Sequence, residues 1–111
     1  MDRYGTVMIG RMREAVDDAH AEQMADTVRE WIRERRVRGF LHEDVMFCDD
    51  GSTIVVAVFF DTEENYKALA DDPIQAQWFE EKLAPMLDGP PQWLDGRWRY
   101  AAYVWNEDGS D

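Results

Sequence analysis

The residues able to do chemistry in this chain are few. It has two histidines, His20 and His42, and one cysteine, Cys48. His42 sits beside Glu43 in an alternating stretch, Phe40–Cys48, that reads as a strand. A strand histidine could act as a general base near neutral pH, because its unperturbed pKa is about 6.5. A half-buried edge-strand histidine that is only hydrogen-bonded or wet fits the same position. Tyr66, Trp78, Trp98 and Tyr100 could line an aromatic pocket for a planar substrate, and Met8, with Met12, Met24 and Met46, could make it adaptable. The same residues would also serve an ordinary core. Histidines and cysteine have no metal-ligand spacing, so no metal site and no cofactor are expected. There is no glycine-rich phosphate loop and no serine elbow. Cys48 has no cationic neighbour in sequence and is expected to be inert.

These residues must be positioned by elements organised around Thr53–Leu87. The run Ile54-Val55-Val56-Ala57-Val58-Phe59-Phe60 is apolar on both alternating faces and predicts a strand buried on both sides. Thr62 caps a helix that opens with Glu63 and Glu64, where carboxylates favour the dipole. Asp72-Pro73 restarts it, and Ile74, Trp78, Phe79, Leu83, Met86 and Leu87 predict a wide buried stripe up to Leu87.

Upstream, residues 4 to 12 predict a strand with Thr6, Met8, Gly10 and Met12 on one face and Val7 and Ile9 on the other. A helix follows from Asp17 or Asp18 to about Arg36, with Met24, Val28, Trp31 and Ile32 as its stripe and Gly39 as its stop. Asp49-Asp50-Gly51-Ser52 closes a hairpin. After the loop Asp88-Gly89-Pro90-Pro91, a last strand is expected from about Arg97 to Trp105, with Trp98, Tyr100, Ala102 and Val104 on one face. Residues 106–111 are expected to fray.

The order β-α-β-β-α-β is the split βαβ, ferredoxin-like α+β pattern: a four-stranded antiparallel sheet with helices on one face. A single domain spanning residues 1–111 fits the length. The doubly apolar central strand would leave an exposed patch in a monomer, so a second copy is expected to cover it and form a homodimer.

Composition narrows the partners. Twelve Lys and Arg against 24 Asp and Glu give a formal charge of −12, which argues against tracking phosphates. The run Arg29, Arg33, Arg35, Arg36 and Arg38 is interleaved with Glu30 and Glu34 and reads as a solvated helix end rather than a nucleic-acid patch. No apolar stretch approaches the roughly 20 residues of a membrane helix. The N-terminus lacks a signal pattern, and a lone cysteine suits a reduced compartment, so a cytoplasmic setting is expected.

The segment Phe59-Phe60-Asp61-Thr62-Glu63-Glu64-Asn65-Tyr66-Lys67-Ala68-Leu69-Ala70-Asp71-Asp72-Pro73, then Trp78-Phe79, Leu83-Ala84-Pro85-Met86-Leu87 and Pro91-Gln92-Trp93-Leu94-Asp95-Gly96, resembles the antibiotic biosynthesis monooxygenase-like branch of the dimeric α/β-barrel superfamily. The resemblance covers about Tyr4 to Val104. It implies a dimeric barrel and, among several activities, oxidation of small aromatic or quinol-type substrates without a cofactor, the substrate anion itself reacting with oxygen. Haem-degrading members use an Asn on the first strand and a His on the last helix. Here those regions offer Gly10, Arg11 and Met12, and Trp78-Phe79, so haem ligation of that kind is not expected. On this resemblance the pocket lies between helices and sheet, shaped by Tyr66, Trp78 and Trp98, with His42 as base. The alternative is a non-catalytic barrel that binds a hydrophobic ligand or serves as an accessory subunit.

Overall fold

The structure is a computed structural model that describes residues 3–99 and 101–102. Strand β1 (Arg3–Arg11) leads through α1 (Asp18–Arg35) to β2 (Phe40–Phe47) and β3 (Thr53–Phe60). Then come α2 (Glu63–Ala70), α3 (Pro73–Lys82), a short 3-10 turn (Ala84–Met86) and β4 (Gln92–Trp98). The strands form one antiparallel sheet in the order β2-β3-β1-β4, the expected ferredoxin-like α+β arrangement.

Local chemistry sets the boundaries. Asp17 accepts from the backbone N–H of His20 at 2.8 Å and caps α1. Thr62 does the same for α2 through Asn65, and Asp72 for α3 through Ile74, ahead of Pro73. In the β2–β3 turn, Asp50 accepts from Ser52 N–H, Thr53 N–H and the Thr53 hydroxyl. Hydrogen bonds from Thr53, then from Ser52, hold its carboxyl down to about 2.

Four expectations need correction. The left-handed residue that ends α1 is Arg36, at φ 50°, and not Gly39. Gly39 has φ +80° in the next turn, where a Cβ would lie 2.3 Å from Asp61 Oδ1. The last helix stops at Lys82 rather than reaching Leu87, because Pro85 cannot donate into a continuing α-helix; the chain tightens into the 3-10 turn instead. The α3 stripe is not deeply buried: none of its residues is, and Ile74 is 51% exposed. A cavity intervenes between α3 and the sheet, as described below.

The fourth correction concerns β4. It starts at Gln92 and not at Arg97, and pairs along β1 from Ile9↔Gln92 to Arg3↔Trp98 without a bulge. Trp98 thus faces the first residue of β1, and the following residues Arg99, Ala101 and Ala102 are outside any strand. The rest of the expected strand, Tyr100 and residues 103–105, and the expected frayed segment 106–111 lie outside the described residues.

The sheet register sorts the side chains. Thr6, Met8, Ile54 and Phe60 are buried on the helix side, with Met12, Met24, Tyr66 and Leu87. A register shift between Phe40 and His42 brings Phe40, Glu43, Val45 and Phe47 to that same side. The opposite face carries Val7, Ile9, Val55, Ala57, Phe59 and Leu94, of which none is fully buried and Leu94 is half exposed. On that face Trp98 lies against Phe59, ring centroids 4.3 Å apart, and donates its indole N–H to the Val58 carbonyl at 3.1 Å. Its path crosses Gly5, where a Cβ would come within 2.9 Å of the indole nitrogen and 1.8 Å of the Val58 oxygen.

Candidate functional site

Between the sheet and the helices is a cavity of about 510 Å³. That lies within the range of roughly 300–1,000 Å³ typical of small-molecule sites. Its floor is the helix-side face of the sheet, including Met8, Val45, Phe47, Ile54, Val56 and Val58. Its roof comes from α1 (Ala21, Ala25, Val28, Trp31, Ile32) and α3 (Gln75, Trp78, Phe79). Nearly all of this is apolar, so water has few partners inside.

The roof is braced at one end. Trp31 and Trp78 stack at 5.2 Å with planes 13° apart, and the Trp31 indole donates to Gln75 Oε1 at 2.7 Å. The Arg35 guanidinium lies 5.1 Å from the Trp31 ring centre and donates to Asp72 Oδ2. Asp72 Oδ1 meanwhile accepts from Ile74 N–H at 2.9 Å, so one carboxylate joins the end of α1 to the start of α3.

Polar groups in the cavity are sparse. At one end the buried Tyr66 hydroxyl donates to Asp95 Oδ1 at 2.8 Å, and Thr6 donates to the Leu94 carbonyl at 3.2 Å. Burial, with Asp95 adding to it, pushes the Tyr66 phenol up to about 12, so it is a hydrogen-bond donor and not a base near neutral pH.

At the other end, on β2, is Glu43, half-buried and lining the cavity. Among the described residues nothing donates a hydrogen bond to its carboxylate. Burial, reinforced by the charge of Asp44 and opposed by His42, pushes it up to about 7. Glu43 also lines a second groove along the α1–β2 edge, of mixed character, with the charged or ionisable Glu22, Arg29, Arg33, His42 and Asp44 beside apolar residues.

Three of the expected pocket residues, Met8, Tyr66 and Trp78, come together in the cavity. His42 does not line it. The β2 register points His42 to the far side, beside Phe59 and paired with Asp44 Oδ2 at 2.7 Å, in the groove that Glu43 shares. Trp98 is likewise on the far face, and Tyr100 lies outside the described residues. Glu43 was missed although alternation along the strand puts it with Val45 and Phe47, opposite His42; the shift at Leu41 adds only Phe40 to that face. Among the described residues there is no cluster of three or more His, Cys, Asp or Glu placed to hold a metal ion, and no helix is long and apolar enough to cross a membrane.

A four-stranded ferredoxin-like sheet with an apolar cavity under its helices defines the class, and the solved structures that resemble it include antibiotic biosynthesis monooxygenase-like proteins. The chain is similar to a monooxygenase from the gene ActVA-Orf6 of Streptomyces coelicolor, solved in complex with Nanaomycin D: 26% identity over 93% of this chain and 91% of that one, TM-score 0.68. It also shares its fold with SnoaB, a cofactor-independent oxygenase from Streptomyces nogalater (11% identity, 94% and 98% covered, TM-score 0.57). A dimeric ferredoxin-like protein of unknown function from Thermobifida fusca matches at 14% identity, 90% and 92% covered, TM-score 0.57. No family model and no curated protein matches the chain.

Proposed function

We propose that this chain is a cofactor-independent monooxygenase-like protein that holds a small aromatic or quinol-type substrate in the helix–sheet cavity. The observation that carries this reading is the largely apolar cavity of about 510 Å³ with few polar groups in its lining, in a chain similar to the Streptomyces coelicolor monooxygenase over most of both lengths. Such a site suits a planar ring flanked by Trp78 and Phe79, with a ring oxygen near the Tyr66 hydroxyl. Without a cofactor the substrate is the reductant. Its anion passes electrons to dioxygen, a ring methylene becomes a carbonyl, and the second oxygen atom leaves as water with the two hydrogens. A dry cavity favours that chemistry by protecting reactive intermediates from solvent.

The apolar far face of the sheet supports a homodimer in which a second copy covers Val7, Val55, Ala57 and Phe59. A charge of −12 supports the absence of functional nucleic-acid binding; tight, salt-sensitive binding to any duplex or single strand would overturn that part.

The direct test is oxygen consumption with anthrones, quinols and catechols, without added metal or cofactor. Substrate-dependent uptake is expected. Ligand binding with no uptake for any of the panel would leave a non-catalytic ligand-binding barrel.

A further inference from the structure

A reaction that begins from a substrate anion needs a proton acceptor in contact with the bound ring, and His42 does not reach the cavity. Tyr66 is occupied as a donor to Asp95. Two further carboxylates line the cavity. Asp95 already accepts the Tyr66 proton, and Glu80 is solvent-exposed on α3. Glu43 differs from both, because its carboxylate has no hydrogen-bond donor among the described residues and enters a wall that is otherwise apolar.

Its position has a second property. Of the residues shared by the cavity and by the groove on the α1–β2 edge, Glu43 is the ionisable one, and the groove also carries Asp18, Glu22, Arg29, Arg33, His42 and Asp44. A proton taken from inside therefore has a route to water that does not cross the bound ring. We propose that Glu43 is the general base of this site: one of its carboxylate oxygens accepts the proton of a bound phenol or enol, leaving the ring anion in the cavity, and then releases that proton to water in the α1–β2 groove. The step is a proton transfer alone. The O–H bond of the substrate breaks, a carboxyl O–H forms, and the electron pair stays on the ring oxygen. The proposal rests on the reading of the cavity as a substrate site.

The charged surroundings suit a base working near neutrality. On β2 itself Asp44 disfavours ionisation of Glu43 and His42 favours it. From α1, Arg29 and Arg33 face the groove together with Asp18 and Glu22, so cationic and anionic groups are mixed there. Glu80 from α3 and Asp95 from β4 are the acidic groups on the cavity side. Burial pushes Glu43 up to about 7, close to the point at which a general base is both ionised and strong enough to act.

The test uses two readouts on the full chain and its Glu43→Gln variant, with folding checked by circular dichroism. The first, run under nitrogen, is the exchange of anthrone's methylene hydrogens for deuterium in D2O, which passes through the ring anion and needs no oxygen. The unchanged protein should speed this exchange, and E43Q should be roughly 10²–10⁴-fold slower. The second is oxygen uptake with whichever substrate turns over. Here kcat should fall roughly 10²–10⁴-fold with KM little changed, and the limb of kcat/KM near pH 7 should disappear. Equal exchange rates for the two proteins, or turnover unchanged in E43Q, would overturn the assignment. No oxygen uptake by the unchanged protein, with the difference in exchange intact, would remove the oxygenase reading and leave Glu43 as the proton acceptor of a ligand site. No acceleration of exchange and no oxygen uptake by the unchanged protein would overturn both.

Discussion

The hydroxyl of Tyr66 on α2 donates to the carboxylate of Asp95 on β4 across 2.8 Å, tying an edge of the sheet to the helix that walls the cavity. Tyr66→Phe should lower stability by about 1 kcal/mol, since Asp95 is exposed enough to turn to water instead. That should appear as a drop in Tm of about 4–8 °C. The raised phenol also carries a pH signature. Tyr66 holds its proton more tightly folded than unfolded, so its contribution is present below pH 10 and is lost as pH climbs towards about 12. Ultraviolet titration should show one tyrosine ionising late, and Asp95→Asn should bring it earlier.

Glu43 should depress stability when ionised. Its folded carboxyl is raised from 4.5 to about 7, so its contribution is complete below pH 4.5 and disappears as pH rises through about 7. At pH 8 Glu43→Gln should be more stable than the unchanged protein by up to about 3 kcal/mol, less where water reaches the groove. At pH 4 the two should match. Urea midpoints at both pH values, at one fixed protein concentration, measure the difference, and an equal gain at both would remove burial of the charge as its cause.

Gly39→Ala should be costly out of proportion to a methyl group. The backbone has φ +80°, and the new Cβ would collide with Asp61 Oδ1 and with Asn65, whose side-chain nitrogen lies 2.6 Å away. A loss of about 1–3 kcal/mol is expected from the strained conformation and the displaced pair. Thermal unfolding checks it; a change in Tm under about 2 °C would contradict the geometry.

Ala57→Arg addresses the open face. Ala57 sits on β3 between Val7 and Asp44, on the side away from the helices. The unchanged protein is expected to sediment as a dimer at micromolar concentration, and the arginine variant as a monomer or an unfolded chain. A stable wild-type monomer would show that nothing of its own kind covers the face.

The order of elements, the caps at Thr62 and Asp72 and the split of β1 into Met8 and Val7 faces were legible in the sequence, because periodicity and capping are local. What was not legible depended on partners. β4 is set by where β1 has backbone to pair with, so it begins at Gln92, directly after the loop of residues 88–91 and ahead of the expected start at about Arg97. The shift beside Leu41 brings Phe40 to the inward face, where alternation already placed Glu43 with Val45 and Phe47; which of the two β2 faces points inwards depended on pairing with β3. The α3 stripe read as core, yet Trp78 and Phe79 face a space; apolar periodicity marks a face without showing whether anything fills the gap beneath it.

The joint at Asp72 explains how that gap survives. A roof held down only by contact with the floor would collapse into an empty space of this size, as packed interiors close up where they can. Here α1 and α3 lean on one another through Arg35, Asp72 and the Trp31–Trp78 stack, in the manner of an arch whose halves bear mutual thrust. The joint spans the space from helix to helix, so a guest would lie beneath a roof whose two halves are already fastened to each other.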